Sequence, residues 1–171
     1  MRKVVFVTLL MCCVFMMNAC VSMMPTKEQQ EVKTIVSVKA SYDKVWKALV
    51  QTLMEENYKI KTLDKDTGSI QTEDIIYKDS YAKDFYAKDQ LKKISYMPSI
   101  MLSIWNAYKY NFSILLYDID KENITINIKA TIAGYEKNVS GDWIECYSNG
   151  TLEQALINSV KKKLGITEMQ Q

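Results

Sequence analysis

Apolar and polar positions alternate with a period of two along Tyr108, Tyr110, Phe112, Ile114 and Leu116, and again along Ile124, Ile126, Ile128, Ala130 and Ile132. Side chains of a strand point to opposite faces in turn, so each run predicts a strand with one buried face. The polar stretch Tyr117-Asp118-Ile119-Asp120-Lys121-Glu122-Asn123 predicts the turn between them. Shorter alternations predict strands over Thr34–Lys39 and Asp142–Tyr147. Tyr58, Ile60 and Thr62 predict a hairpin with Ile70 and Thr72. Its turn, Asp64-Lys65-Asp66-Thr67-Gly68, puts Gly68 where positive φ costs least. The stretch from Gly134 to Gly141 is expected to be a second polar loop.

Two segments follow the helical period instead. Tyr42, Trp46, Leu49, Val50 and Leu53 fall at spacings of three and four, which predicts a helix from a Ser41 cap to about Glu56, with Asp43 at the positive end of its dipole. Leu152, Leu156 and Val160 share a face of a terminal helix. Thr151 and Gln154 form a capping box at its start. Lys161, Lys162 and Lys163 complement the negative end, and Gly165 stops it. Segregated helices and antiparallel strands predict an α+β fold: a curved antiparallel sheet with two helices on one face and an aromatic-rich insertion over about 77–107.

The first residues follow neither period. Arg2 and Lys3 precede an apolar run from Val4 to Met17, and Asn18-Ala19 leads to Cys20, the three parts of an export signal. A helix of about 14 residues spans about 20 Å, short of the roughly 30 Å hydrocarbon core, which disfavours a permanent transmembrane anchor. Met17-Asn18-Ala19-Cys20 resembles a bacterial lipobox. The resemblance implies cleavage before Cys20, a diacylglycerol on its sulfur and an acylated amino terminus, so that the acyl chains on Cys20 hold the protein to a membrane. Val21 stands where an Asp would retain a lipoprotein at the inner membrane, which favours the periplasmic face of the outer membrane. The expected organisation is a signal peptide over 1–19, the lipidated Cys and a polar tether over 20–33, one domain over 34–166, and a tail over 167–171.

Charge and cysteine content fit export. The 22 basic and 20 acidic residues become 20 and 20 once Arg2 and Lys3 leave with the signal. A neutral mature chain lacks the basic excess that displaces counterions from phosphate, which argues against nucleic acid. Cys12 and Cys13 leave with the signal and Cys20 takes lipid, so Cys146 has no disulfide partner. It is expected to be buried and inert. The absence of histidine removes the commonest general base and imidazole zinc sites. No catalytic residue, cofactor or metal site is expected. Asp118, Asp120 and Glu122 lack the Gly and spaced Glu of a calcium loop, and Glu55/Glu56 and Glu73/Asp74 are expected to be surface charge.

The segments Ser41-Tyr42-Asp43-Lys44-Val45-Trp46, Asn57-Tyr58-Lys59-Ile60 and Asp64-Lys65-Asp66-Thr67-Gly68-Ser69-Ile70, together with the junction Trp143 to Glu153, resemble the helix-grip domains of the BamC-like outer-membrane assembly accessory lipoproteins. The resemblance implies the architecture more than an activity. Ten of the eighteen aromatics lie within 77–117. Among them Tyr81, Phe85, Tyr86, Tyr96 and Trp105 are the candidate binding residues, for an envelope protein partner, an apolar ligand or the bilayer interface. The competing expectation is that the insertion simply packs on the sheet. The leading expectation is a non-catalytic binding or scaffold lipoprotein. The alternative is a carrier of lipid or a small apolar ligand in a helix-grip cavity, and an enzyme is the least favoured.

Overall fold

The computed structural model describes residues 34–78, 86–120 and 123–166. The expected signal, Cys20, the tether and the tail lie outside the described residues, as do Tyr81 and Phe85. In chain order the elements are β1 (Thr34–Lys39), α1 (Tyr42–Glu55), β2 (Ile60–Asp64), β3 (Ser69–Thr72), β4 (Ile75–Lys78), α2 (Tyr86–Ile94), β5 (Ser95–Tyr96), β6 (Trp105–Asp120), β7 (Asn123–Glu136), β8 (Asp142–Ser148) and α3 (Thr151–Leu164). Among the described residues the fold is α+β: three helices and an open eight-stranded sheet in which every pairing is antiparallel.

The long β6–β7 hairpin is the spine of the sheet, paired from Trp105↔Glu136 to Asp120↔Asn123. Each of its outer flanks is shared by two short strands. On β6, β3 pairs with residues 113–115 and β4 with residues 107–110. On β7, β1 pairs with residues 123–128 and β8 with residues 132–136. Each flank therefore has a gap where one strand ends and the next begins, and a buried backbone N–H there needs another partner. Thr72 Oγ1 accepts from Phe112 N at 2.8 Å in the β6 gap. Glu153 Oε1 accepts from Ala130 N at 3.0 Å in the β7 gap.

The predicted alternation holds along the spine. Phe112, Ile114, Leu116, Ile124, Ile126, Ile128 and Ile132 are buried with Val45, Leu49 and Leu53 of α1 and Leu156, Ile157 and Val160 of α3. Fully burying one such side chain is worth about 1.5–3 kcal/mol, so this one-sided layer is the main source of cohesion. The helices lie on the inner face, and the opposite face of the sheet carries the odd-numbered residues of β7 and, beyond the bulge between Trp105 and Ala107, those of β6.

Local expectations fared unevenly. Gly68 has φ +70°, and a Cβ there would lie 2.1 Å from the Leu116 carbonyl oxygen, so the turn needs glycine twice over. Strand β2 begins at Ile60 rather than Tyr58. Asn57, at φ +62°, ends α1 in the left-handed conformation, and Tyr58 N donates back to Leu53 O. Ser41 is the N-cap of α1 by position, but its side chain makes no capping bond. The Thr151–Gln154 capping box does not form: Asn149 Oδ1 accepts from Thr151 N, and Gln154 donates to Asn158. The neighbouring Glu153 turns inward instead, because the β7 gap needs an acceptor. The expected loop over Gly134–Gly141 is shorter, since β7 continues to Glu136 opposite Asp142, Trp143 and Ile144. The insertion contributes a third helix, α2, whose Ala87 and Leu91 join the core.

Candidate functional site

Among the described residues no helix covers the outer face of the sheet. β8 sends Ile144, Cys146 and Ser148 inward, and so Trp143 and Tyr147 outward. Trp143 pairs with Tyr135 in register, and the two rings meet edge to face at 5.5 Å between centroids. Lys109 Nζ sits 5.0 Å above the Trp143 ring and forms an ion pair with Asp74 at 3.0 Å. Asn111 Nδ2 donates to the same carboxylate at 2.6 Å. That bond first, and then Lys109, holds the Asp74 carboxyl below its ordinary value. Asp74 is thus exposed, as expected of surface charge, and is held against Lys109 and Asn111. Tyr147 pairs with Tyr96. At the other end of this face, Ile35 and Leu115 flank Asn127 in one row, with Tyr117 a row beyond, and all three apolar side chains are exposed.

The candidate residues of the insertion do not converge. Tyr86 begins α2 and Tyr96 sits on the short edge strand β5, both exposed. Trp105 is only 1% exposed, which makes it a core residue and corrects its expected place at a binding surface. Its ring fills the space left by the missing side chain of Gly134, where a Cβ would lie 2.5 Å from the ring, and its Nε1 donates to Ser103 Oγ at 2.9 Å. Tyr77 stacks on Tyr108 at 4.8 Å on the helix side of the sheet. Burial raises the Tyr110 phenol far above its ordinary value, and its contact with Tyr58 adds to this.

The buried titratable groups are engaged structurally. Glu136 Oε1 accepts from Ile104 N and Asn138 N, and Oε2 from Val139 N, Ser140 N and Ser140 Oγ. Loss of hydration works to raise its pKa, but the backbone donors outweigh it and bring the carboxyl down to about 2. Glu153 Oε2 accepts from Ser148 Oγ at 2.7 Å. Burial pushes the Cys146 thiol up to about 11, so it is almost wholly protonated at neutral pH, in keeping with the inert role expected of it.

Glu136 holds two loops side by side. In one, Met101 is 84% and Leu102 78% exposed, and Leu102 has φ +61°. In the other, Val139 is exposed. Asn138 Nδ2 donates to Leu102 O, and Lys137 N to Ile104 O, closing the pair.

No family model and no curated protein matches this chain. Among solved structures, a DUF4468 family protein from Bacteroides ovatus is similar over 86% of this chain and 93% of its own, at 11% identity and a TM-score of 0.41. The adenylate sensor of AMP-activated protein kinase, solved with a ribonucleotide, is similar over 77% and 95% at 11% identity and a TM-score of 0.39. Neither likeness carries an argument about what the chain does.

The geometry offers contact chemistry. Among the described residues no three Asp, Glu or Cys side chains are grouped to hold a metal, and no helix is long and apolar enough to cross a membrane. The outer aromatics Tyr135, Trp143 and Tyr147 escaped the sequence reasoning because it followed the aromatic-rich segment. The available signal was the alternation around Cys146: an inward Cys146 requires an outward Trp143 and Tyr147.

Proposed function

We propose that this chain is an envelope lipoprotein, held through acyl chains on Cys20 at the periplasmic face of the outer membrane, whose domain binds another envelope protein without catalysing a reaction. The observation that carries this reading is the outer face, which no described helix covers, where Tyr135 and Trp143 meet the Asp74–Lys109 pair and Tyr147 pairs with Tyr96 toward the edge. Aromatic rings with fixed positions bury much area at little entropic cost, which is what binding hot spots use. The architecture is read as helix-grip and BamC-like, supported by α1 and α3 lying together on one face of an antiparallel sheet.

Two measurements test this. A photo-crosslinking residue in place of Tyr147 or Leu115 is expected to give a single stoichiometric adduct in the envelope, lost when Trp143 and Tyr135 are changed to Ala. Adducts absent from every outer-face position in an acylated protein would remove the partner reading. Cys20→Ser is expected to abolish fatty-acid labelling and release the protein from membranes, and retention without label would remove the anchor.

The carrier reading draws on a different observation, Tyr77 exposed on the helix side and stacked over Tyr108 and Tyr110. Lipid co-purifying with the protein and lost on Tyr77→Ala would favour it.

A further inference from the structure

The two ends of the domain differ in chemistry. At the end where β6 turns into β7, the β2–β3 turn lies alongside and presents Asp64, Lys65 and Asp66, with Asp118 and Asp43 near them; Leu116 N donates to Gly68 O, and Lys65 pairs with Asp43. At the opposite end lie the loops 97–104 and 137–141. The first, Met-Pro-Ser-Ile-Met-Leu-Ser-Ile, has no charged residue, and the second has Lys137 alone.

We propose that this second end is a lipid-facing foot, seated in the headgroup region of a phospholipid bilayer with Met101, Leu102 and Val139 directed into it. The inference rests on the Cys20 anchor proposed above.

Three observations support it. Met101 and Leu102 are the most exposed large apolar side chains among the described residues, and Val139 is exposed on the loop bound to theirs. Leu102 also holds a left-handed backbone that a bulky residue rarely adopts, at a position where burial gives nothing in return. Second, much of the polar backbone that flanks the apolar tips is bonded internally. Glu136 accepts from Ile104, Asn138, Val139 and Ser140, while Ile104 O accepts from Lys137 and Leu102 O from Asn138. Each amide bonded in this way lowers the cost of entering a region of low water content, and the headgroup region still offers water and phosphate to the rest. Lys137 has a stem long enough to keep its ammonium at the phosphates.

Third, the tether reaches. β1 runs antiparallel to β7 with Thr34 opposite Ile128, so the chain arrives from the direction of Glu136. The rise from Ile128 to Glu136 is about 26 Å at roughly 3.3 Å per residue. Residues 21–33 can span up to about 45 Å, so Cys20 can sit in the same leaflet as the foot. The acidic end then points away from anionic lipid, and the outer face of the sheet stands upright beside the membrane.

The test uses the full acylated chain in vesicles of phosphatidylethanolamine and phosphatidylglycerol, with a nitroxide on Met101→Cys, Val139→Cys or, as control, Asp66→Cys. Collision with a water-soluble nickel chelate is expected to fall about tenfold at 101 and 139 relative to 66, while collision with oxygen rises. Water-like values at all three positions overturn the foot. So does a fall in nickel access with no rise in oxygen access, which would mean that a protein surface covers it. These depth readings judge the foot, and the mass of the Cys20 peptide from the same sample judges the anchor separately. A chain that does not float with the vesicles overturns both.

Discussion

Glu153 Oε1 accepts a hydrogen bond from Ala130 N at 3.0 Å, in the stretch of β7 that lies between the end of β1 and the start of its pairing with β8. A side chain from the first turn of α3 thus completes the hydrogen bonding of the sheet and fixes the helix against it. Its second oxygen takes Ser148 Oγ, which in turn accepts from Gly150 N, so one carboxylate joins strand, junction and helix.

Glu153→Ala should therefore be costly for a single substitution. It leaves the Ala130 amide and the Ser148 hydroxyl buried without that acceptor, at about 1–3 kcal/mol for each unsatisfied group. Glu153→Gln keeps an acceptor oxygen and should lose clearly less. Urea midpoints of the two variants check this, and equal losses would contradict the account.

Stability should fall in acid through Glu136. Its folded pKa of about 2 lies below the ordinary 4.5. A depressed carboxylate contributes stability that is fully present above the unfolded value and lost as pH drops toward the folded one. The wild type should weaken between about pH 5 and pH 2, and Glu136→Gln should show a flatter profile over that window. Urea melts at stepped pH give both curves; parallel curves would argue against the assignment.

Gly134→Ala should destabilise by about 1–3 kcal/mol through overpacking, since its Cβ meets the Trp105 ring at 2.5 Å and Leu91 Cδ1 at 2.7 Å. Leu91→Ala is costly in the core but removes one of the two clashing groups, so the double variant should lose less than the two single losses added together. Thermal melts of the single and double variants decide it.

Cys146 should resist alkylation at pH 7–8 in the folded protein and react at the ordinary thiol rate in denaturant, because burial holds its pKa near 11. The mass of the Cys146 peptide after timed iodoacetamide treatment reads both rates. Rapid labelling of the native protein would show that the core opens there.

Much of the fold was legible because periodicity is a local signal. Alternation from Tyr108 to Ile132 gave the spine, and the spacing of Trp46, Leu49 and Leu53 gave α1. The candidate site was far less legible. Trp105 stands in the same aromatic-rich segment as Tyr96, yet one is core and the other surface. Nothing within the segment distinguishes them, because the space that Trp105 occupies is made by Gly134, on another strand.

The sequence by itself determined the β6–β7 spine, the first and last helices with their apolar faces, and that Gly68 stands where the backbone turns left-handed and Gly165 where the last helix stops, since each depends on neighbours a few residues away. Only the tertiary structure decided that short strands share the flanks of the β6–β7 spine, that Glu153 rather than Gln154 acts at the start of α3, and that Glu136 binds two distant loops into one end. Those outcomes depend on which buried N–H groups the sheet leaves without partners, and that is known only once the strands have paired.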